Sequence, residues 1–166
     1  HKGFVGQYFV RKYAAHDITG VDIKDGQDVR DFFAKNRERY DLVIHLAAIV
    51  GGRATIEGNP LSVATDLAID SDFFNWALIT RPGRIVYFSS SAAYPVNLQT
   101  ETNPSILNET MINFENIGVP DMTYGWSKLT GEYLASMAHK SCGLNVVCYR
   151  PFSGYGEDQH PSYPFP

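Results

Sequence analysis

Short apolar runs alternate with longer stretches of helical periodicity along the chain, and this alternation predicts a β-α-β order of elements. The apolar runs predict four strands, at residues 18–22, 41–48, 84–89 and 145–150. The periodic stretches predict four helices, at about residues 4–15, 29–36, 60–78 and 124–140. Nearly continuous apolar strands are typical of a parallel sheet covered on both faces. The expected fold class is therefore α/β, with a doubly wound parallel sheet.

The two ends of the sequence predict an incomplete domain. Gly3-Phe4-Val5-Gly6 supplies the second and third glycines of a G-x-x-G-x-x-G turn, but not the strand that should feed that turn. In a sheet of order 3-2-1-4-5-6 this strand is central. The five residues between Asp22 and Asp28 leave no room for a third strand, and no element follows the proline-rich tail at 161–166. We therefore expect residues 1–166 to form part of a domain.

Composition narrows the function classes. Hydrophobic residues make up 44% and charged residues 19%, which is typical of a soluble folded protein. The net charge of −4 argues against a nucleic-acid partner. No apolar run approaches the roughly 18 residues of a membrane span, and no secretion leader is visible, so the cytoplasm is the expected location. Cys142 and Cys148 form no C-x-x-C, and the five histidines lack metal-ligand spacing, so neither a disulfide framework nor a metal site is expected.

The first turn and the residue that ends the next predicted strand suggest a dinucleotide. Backbone N–H groups at Gly3-Phe4-Val5-Gly6 could approach a pyrophosphate at the start of a helix. Asp22 could accept hydrogen bonds from a ribose diol and would repel a 2′-phosphate, which favours NAD over NADP. Lys24 nearby leaves NADP open. The alternatives are a simple tight turn and a helix cap.

Tyr124 and Lys128 suggest acid-base chemistry. They are four residues apart on a predicted helix, so both lie on one face with about 5 to 6 Å between their Cβ atoms. A lysine ammonium there would favour the anionic form of the phenol. Tyr124 could then take a proton from a substrate hydroxyl while Ser90 or Ser91 holds the oxygen. The alternative is that the spacing arises by chance on an amphipathic helix and that the serine hydroxyls bond the local backbone.

These signals fall at the carboxyl ends of successive predicted strands. Leu46-Ala47-Ala48 end one strand ahead of Gly51-Gly52, where small residues would permit close approach of a cofactor. The alternative is core packing followed by a glycine turn. Ser89-Ser90-Ser91 end the next. Ligands bind at this edge of open α/β sheets. Independent chance matches would rarely line up there.

Together these residues resemble the extended short-chain dehydrogenase/reductase family, specifically its nucleotide-sugar epimerases and dehydratases. The resemblance covers nearly the whole chain and implies a Rossmann fold. Its motifs are Gly3-Phe4-Val5-Gly6, Asp22, Asp28-Val29, His45-Leu46-Ala47-Ala48, the run from Ser89 to Pro95, the Tyr124/Lys128 pair and the run from Arg150 to Gly156.

The resemblance implies a role for each matching residue. Ser90 lies four residues before Tyr94, where the family has its catalytic hydroxyl; Tyr124 would be the base, and Lys128 would bind the nicotinamide ribose. Asp28 and Val29 would lie near the adenine, and Pro151 and Phe152 near the nicotinamide. The full set of expected NAD-binding residues is Gly3, Phe4, Val5, Gly6, Asp22, Asp28, Val29, Leu46, Ala47, Ala48, Ser89, Tyr124, Lys128, Pro151 and Phe152.

Within the family, the chain is most similar to the GDP-sugar branch of fucose synthases and mannose 3,5-epimerases. It departs from that branch at Ala92, where those enzymes have a cysteine acid/base, so epimerisation at C3 and C5 is disfavoured. Dehydratases have an Asp-Glu pair where this chain has Ser91-Ala92, so loss of water is disfavoured too. Ser153 replaces a frequent asparagine. The candidate substrate contacts are Gly52, Arg53, Ser91 and Ser153.

The expected function is an NAD-dependent nucleotide-sugar epimerase that acts at C4 through a transient 4-keto sugar. A keto-sugar reductase or dehydrogenase, a dehydratase and a non-catalytic dinucleotide-binding module are the alternatives. The resemblance also implies a substrate-binding lobe beyond residue 166 and a homodimer paired through the helices at 60–78 and 124–140.

Overall fold

The computed structural model describes residues 1–157 and residue 159. The helices are α1 Phe4–Lys12, α2 Val29–Lys35, α3 Arg53–Gly58, α4 Val63–Thr80 and α5 Met122–Lys140. The strands are β1 Leu42–His45, β2 Arg84–Phe88, β3 Gln99–Thr100, β4 Asn103–Pro104 and β5 Val146–Tyr149. Short 3₁₀ turns lie at Ile23–Asp25, Pro60–Ser62, Ser91–Ala93, Val96–Leu98 and Glu109–Met111.

The main sheet has the order β1-β2-β5, and both neighbouring pairs are parallel. Ile85 of β2 lies opposite Val43 on one side and opposite Val146 on the other. Helix α4 connects β1 to β2, and α5 connects β2 to β5, as parallel strands require. This arrangement confirms the α/β class and the parallel sheet that the alternating pattern predicts.

An aromatic core holds α2 and α4 against the sheet. The rings of Phe33 and Phe73 are 5.6 Å apart, and Phe73 stacks on His45 at 4.1 Å. Trp76 and Tyr87 complete the same cluster and are 3% and 0% exposed. Each large side chain buried in this way contributes on the order of 1.5–3 kcal/mol. The carboxyl ends of β1 and β2 are therefore fixed by close packing against this aromatic cluster.

The predicted strand at 18–22 is wrong. Within the described part of the chain, no strand or isolated bridge includes these residues, and Ile18 is 42% exposed. A strand needs a neighbour that takes up its backbone hydrogen bonds, and no described segment supplies one here. Asp22 is extended and caps the 3₁₀ turn Ile23–Asp25, which occupies the gap that was predicted to be too short for a strand.

Other boundaries also differ from the sequence prediction. Helix α1 ends at Lys12, the predicted strands are shorter, and a 3₁₀ turn precedes α4, which continues to Thr80. Helix α3 was missed because its six residues carry little apolar periodicity. The polar stretch at 95–123 contains the β3-β4 hairpin. The tail at 161–166 lies outside the described residues. No helix in the described chain is long and apolar enough to cross a membrane.

Candidate active site

The start of α5 lies against the loop that follows β2. The backbone N–H of Asp121 donates to the carbonyl of Ala92 at 2.9 Å. A Cβ at Gly125 would overlap that same carbonyl oxygen, so glycine permits this close approach. The contact brings Tyr124, on the first turn of α5, to the loop that carries Ser90.

The entry into α5 has an unusual backbone. Met122 has a φ of 55°, a left-handed conformation that a non-glycine residue adopts at a cost of about 1–3 kcal/mol. Arg53 holds this entry from outside, since its guanidinium pairs with Asp121 at 2.8 Å and with Glu57 at 3.1 Å. Arg53, predicted as a substrate contact, is thus an exposed link between α3 and the start of α5.

Lys128 lies one turn further along α5 and is only 4% exposed. Its Nζ is 5.8 Å from the centre of the Tyr124 ring, on the same helix face, as the four-residue spacing predicts. The ammonium donates to the Phe88 carbonyl at 3.1 Å and lies 5.4 Å from the Tyr87 ring. Burial lowers the pKa of Lys128, while the charges of Asp70 and Asp66 act in the opposite direction.

Ser90 ends the extended segment after β2 and caps the 3₁₀ turn Ser91–Ala93. Its Oγ accepts from the backbone N–H of Ala92 at 3.1 Å, which is the local role expected of such a hydroxyl. Accepting one bond uses a lone pair of the oxygen, and the O–H can still donate to a ligand. Ser91 is bound through its backbone N–H to the Pro151 carbonyl, which ties this loop to the segment after β5.

A buried carboxylate joins three elements behind these residues. Glu132 on α5 accepts from the Ser89 hydroxyl at 2.5 Å and from two Arg150 nitrogens at 2.8 and 2.6 Å. Ser89 follows β2 and Arg150 follows β5, so one side chain clamps both strand ends. Sequence reasoning missed Glu132, although it continues the four-residue repeat of Tyr124 and Lys128.

A buried pair of acidic residues on α4, Asp66 and Asp70, was also missed. Asp70 Oδ1 lies 3.0 Å from His45 Nε2, and its Oδ2 accepts from the Tyr87 hydroxyl at 2.6 Å. Asp66 Oδ1 accepts from the backbone N–H of Ile49. The available signal was two acids four residues apart on the helix face that also carries Phe73.

The glycine turn at the start of α1 is compact at Gly6 and open at Gly3. A Cβ at Gly6 would lie 2.7 Å from the carbonyl oxygen of His1, so the turn is compact only with glycine there. Nothing lies within 4 Å of the corresponding place at Gly3, which caps α1, so the space over the first helical turn is open. Phe4 and Val5 are exposed beside it. These residues fit a dinucleotide phosphate at the start of α1.

Asp22 lies beside the same turn. It accepts from the backbone N–H groups of Lys2 at 2.6 Å and Lys24 at 2.9 Å. Asp22 is therefore a cap of the 3₁₀ turn Ile23–Asp25, which is the alternative that the sequence left open. The carboxylate oxygens that accept these bonds are the same ones to which a ribose diol would donate.

The remaining candidates lie at helix starts and in the segments that follow β1 and β5. Asp28 caps α2 and pairs with Arg30, whose side-chain hydrogen bond lowers the pKa of Asp28. Leu46, Ala47 and Ala48 follow β1 and are half-buried, and Gly52 caps α3. Phe152 follows β5 with its ring 6.1 Å from that of Tyr94. The others are half-buried Val29 and Pro151, and exposed Ser153.

Two further observations concern other kinds of site. Cys142 and Cys148 are free and exposed. Among the described residues, no group of three or more histidine, cysteine, aspartate or glutamate side chains could hold a metal ion.

The chain is similar to proteins that are named as enzymes acting on nucleotide sugars. A dTDP-4-dehydro-6-deoxy-D-allose reductase of Streptomyces is 24% identical over 93% of this chain and 54% of its own length. A GDP-mannose 3,5-epimerase 1 of Oryza sativa is 28% identical over 93% of this chain and 45% of its own length. The chain therefore spans about half the length of the curated relatives it matches.

A solved structure shows the same fold. The GDP-mannoheptose C4 reductase of Campylobacter jejuni, with NADP bound, matches with a TM-score of 0.69 and 20% identity. The match covers 92% of this chain and 46% of the reductase. Residues 1–164 match the model of the NAD dependent epimerase/dehydratase family. The chain belongs to that family, and the NAD dependence in the family's description agrees with the cofactor that the sequence predicts.

Proposed function

We propose that the chain is the cofactor-binding and catalytic part of a nucleotide-sugar epimerase that acts at C4 of the sugar. The observation that carries this proposal is the buried Lys128 ammonium beneath Tyr124, 5.8 Å from its ring, at the sheet edge where Ser90 also lies. This arrangement suits removal of a proton from a carbinol and return of that proton.

The residues of the chain would divide the work as follows. Tyr124 takes the proton from the C4 hydroxyl, and Ser90 donates a hydrogen bond to the sugar oxygen as it becomes a carbonyl. Lys128 stabilises the tyrosine anion. NAD held beside these residues would supply the acceptor for the C4 hydride and the source for its return to the opposite face of the 4-keto sugar. Tyr124 then gives the proton back to the oxygen, so proton and hydride balance over one turnover.

Residues beside the site argue against epimerisation at C3 and C5 and against loss of water. Ala92 follows Ser91 in the 3₁₀ turn beneath the start of α5, and its methyl group can carry no proton. Ser91-Ala92 likewise offers no carboxylate pair for the loss of water. A reaction that needs only Tyr124, Ser90 and Lys128 is oxidation and reduction at one carbinol carbon.

A C4 reductase is the second candidate. The names of two matching proteins, a 4-dehydro-sugar reductase and a C4 reductase, favour it. The two activities differ in cofactor balance, because an epimerase returns its hydride whereas a reductase consumes one NADH or NADPH for each product. Absorbance at the nicotinamide band during turnover of the intact protein distinguishes them.

The cofactor is proposed to be NAD. Asp22 would meet the adenosine ribose and repel a 2′-phosphate. A cleft beside α1 is lined by three basic residues that would attract a 2′-phosphate: Lys2, Arg11 and Lys24. Titration of the protein with NAD and NADP measures which group prevails, and tighter binding of NADP would reject the choice of NAD.

The decisive test replaces Tyr124 with phenylalanine. We expect Tyr124→Phe to lower kcat by about 10²-fold or more while NAD binding is retained, because only the phenolic O–H is lost. The intact protein and the variant are loaded with NAD and screened against UDP-, GDP-, dTDP- and CDP-sugars. Full activity of the variant would contradict the assignment. Tight NAD binding by the unaltered protein without any reaction would instead support a non-catalytic binding module.

We also propose that the protein is a homodimer paired through α4 and α5. Several large apolar side chains on these helices are exposed: Leu67, Leu78, Ile79, Trp126 and Tyr133. Light scattering of the intact protein distinguishes the dimer from a monomer.

A further inference from the structure

Helices α4 and α5 share a buried charged interface, formed by Asp66, Asp70 and Lys128. The two aspartates are each 2% exposed and the lysine is 4% exposed. Charged groups removed from water in this way are costly unless they are paired and hydrogen-bonded. The partners of these three side chains therefore indicate what the interface does.

Asp70 is fixed through both carboxylate oxygens. A carboxylate can only accept, so the His45 ring must carry its proton on Nε2, and burial lowers the pKa of His45 toward the neutral ring. The Tyr87 hydroxyl donates to Oδ2 of Asp70. A Cβ at Gly131 would overlap the Tyr87 hydroxyl and lie 2.6 Å from Asp70 Oδ2. Helix α5 therefore sits directly on the Asp70–Tyr87 pair, one turn from Lys128.

Asp66 is only half satisfied. Its Oδ1 accepts from the Ile49 N–H, but its Oδ2 is buried and has no hydrogen-bond partner among the residues described. A buried acceptor of this kind is unfavourable unless a nearby positive charge compensates it. Lys128 supplies that charge, since the ammonium and the carboxylate act on each other electrostatically.

We propose that Asp66 and Asp70 are positioning residues that keep the Lys128 ammonium charged and in place beside Tyr124. Helix α4, which carries none of the predicted catalytic residues, thereby controls proton transfer on α5. The effect on turnover rests on the proposed function, whereas the effect on the charge of Lys128 does not.

The balance of charge depends on pH. Burial lowers the pKa of Lys128, and the anions Asp70 and Asp66 raise it again. Burial raises the pKa of Asp66 to about 6, so this carboxyl becomes an anion near neutral pH and then adds its support to the ammonium. The groups that face Lys128 are Asp66 and Asp70 from α4, Tyr87 and the Phe88 carbonyl from β2, Tyr124 from α5, and His45 from β1 through Asp70.

Titration of Lys128 itself tests the proposal without any substrate. The intact protein is labelled with ¹³C at lysine Cε, and the Lys128 resonance is assigned by its loss in Lys128→Met. We expect the titration midpoint of Lys128 to fall by about one pH unit or more in Asp70→Asn and in Asp66→Asn. Asp72→Asn, an exposed change on the same helix, is the matched control and should leave the midpoint unchanged. Unaltered midpoints in both interface variants would overturn the proposal.

Two features keep the result decisive. In Asp66→Asn the amide oxygen can still accept from Ile49, so this variant retains the fold even if Asp70→Asn does not. In the active enzyme, both variants should lose kcat at alkaline pH with KM unchanged, because Lys128 becomes neutral there. If no nucleotide sugar reacts with the intact protein but the Lys128 midpoint still falls, the proposed function fails and the positioning role stands.

Discussion

The N-terminal segment and the α4-α5 half of the molecule are built in different ways. In α1 only Gly6 is buried, and the Asp22 region is held by carboxylate contacts to exposed backbone N–H groups. In α5 the buried residues include Lys128 and Glu132, whose charges are matched inside the protein. The N-terminal part of the candidate site therefore rests on exposed contacts to backbone N–H groups, whereas the α4-α5 part rests on buried contacts between side chains.

The largest difference should appear when a buried and an exposed ion pair are broken in turn. Glu132→Ala removes the carboxylate that holds Arg150 and Ser89, and it should lower the free energy of unfolding by about 3 kcal/mol because a partly buried cation is left unpaired. Glu57→Ala breaks the exposed pair with Arg53 and should cost less than about 1 kcal/mol. Urea unfolding of both variants measures the contrast, and equal losses would contradict it.

Glycine substitutions should give a smaller contrast of the same sign. Gly131→Ala places a methyl group into Tyr87 and Asp70, and it should cost about 2 kcal/mol by overpacking. Gly3→Ala meets open space at an ordinary φ of −75°, and it should change stability by less than about 0.5 kcal/mol. Thermal unfolding of the two variants is sufficient to compare them. If Gly3→Ala proved the more harmful, the N-terminal turn would be the more tightly packed region.

The two halves should also differ in the sign of their pH dependence. Asp66 has a folded pKa of about 6, above its ordinary value of 3.8, so stability falls as pH rises from about 4 to above 6 and the buried carboxylate ionises. Asp66→Asn should remove this slope and gain about 1–2 kcal/mol relative to the unaltered protein between pH 4 and 7. Unfolding free energies at several pH values, compared between the two proteins, isolate the effect.

Asp28 provides the opposite case in the N-terminal half. The Arg30 hydrogen bond lowers the pKa of Asp28, so its contribution is present at neutral pH and is lost as pH falls through the folded pKa. Because this pair is largely exposed, the effect should be small. A stability difference between Asp28→Asn and the unaltered protein that did not shrink as pH falls below about 4 would contradict this reasoning.

The sequence predicted the α/β class, the parallel order and the carboxyl-edge position of the serine loop because these follow from local periodicity. It also predicted that Tyr124 and Lys128 share a helix face, which depends only on helical geometry. It failed at residues 18–22, where an apolar run was taken as a strand although its pairing depends on a neighbour elsewhere in the chain. Helix α3 was missed because a helix of six residues shows too little apolar periodicity to be predicted.

The sequence by itself determined the α/β class and the shared helix face of Tyr124 and Lys128. Only the tertiary structure decided that Asp66, Asp70 and Glu132 lie behind that site, because each meets partners from another element, 17 to 43 residues away in sequence. Residue spacing along one helix reports which side chains share a face. It does not report which distant side chains will meet that face, and the charge of Lys128 is set by those distant groups.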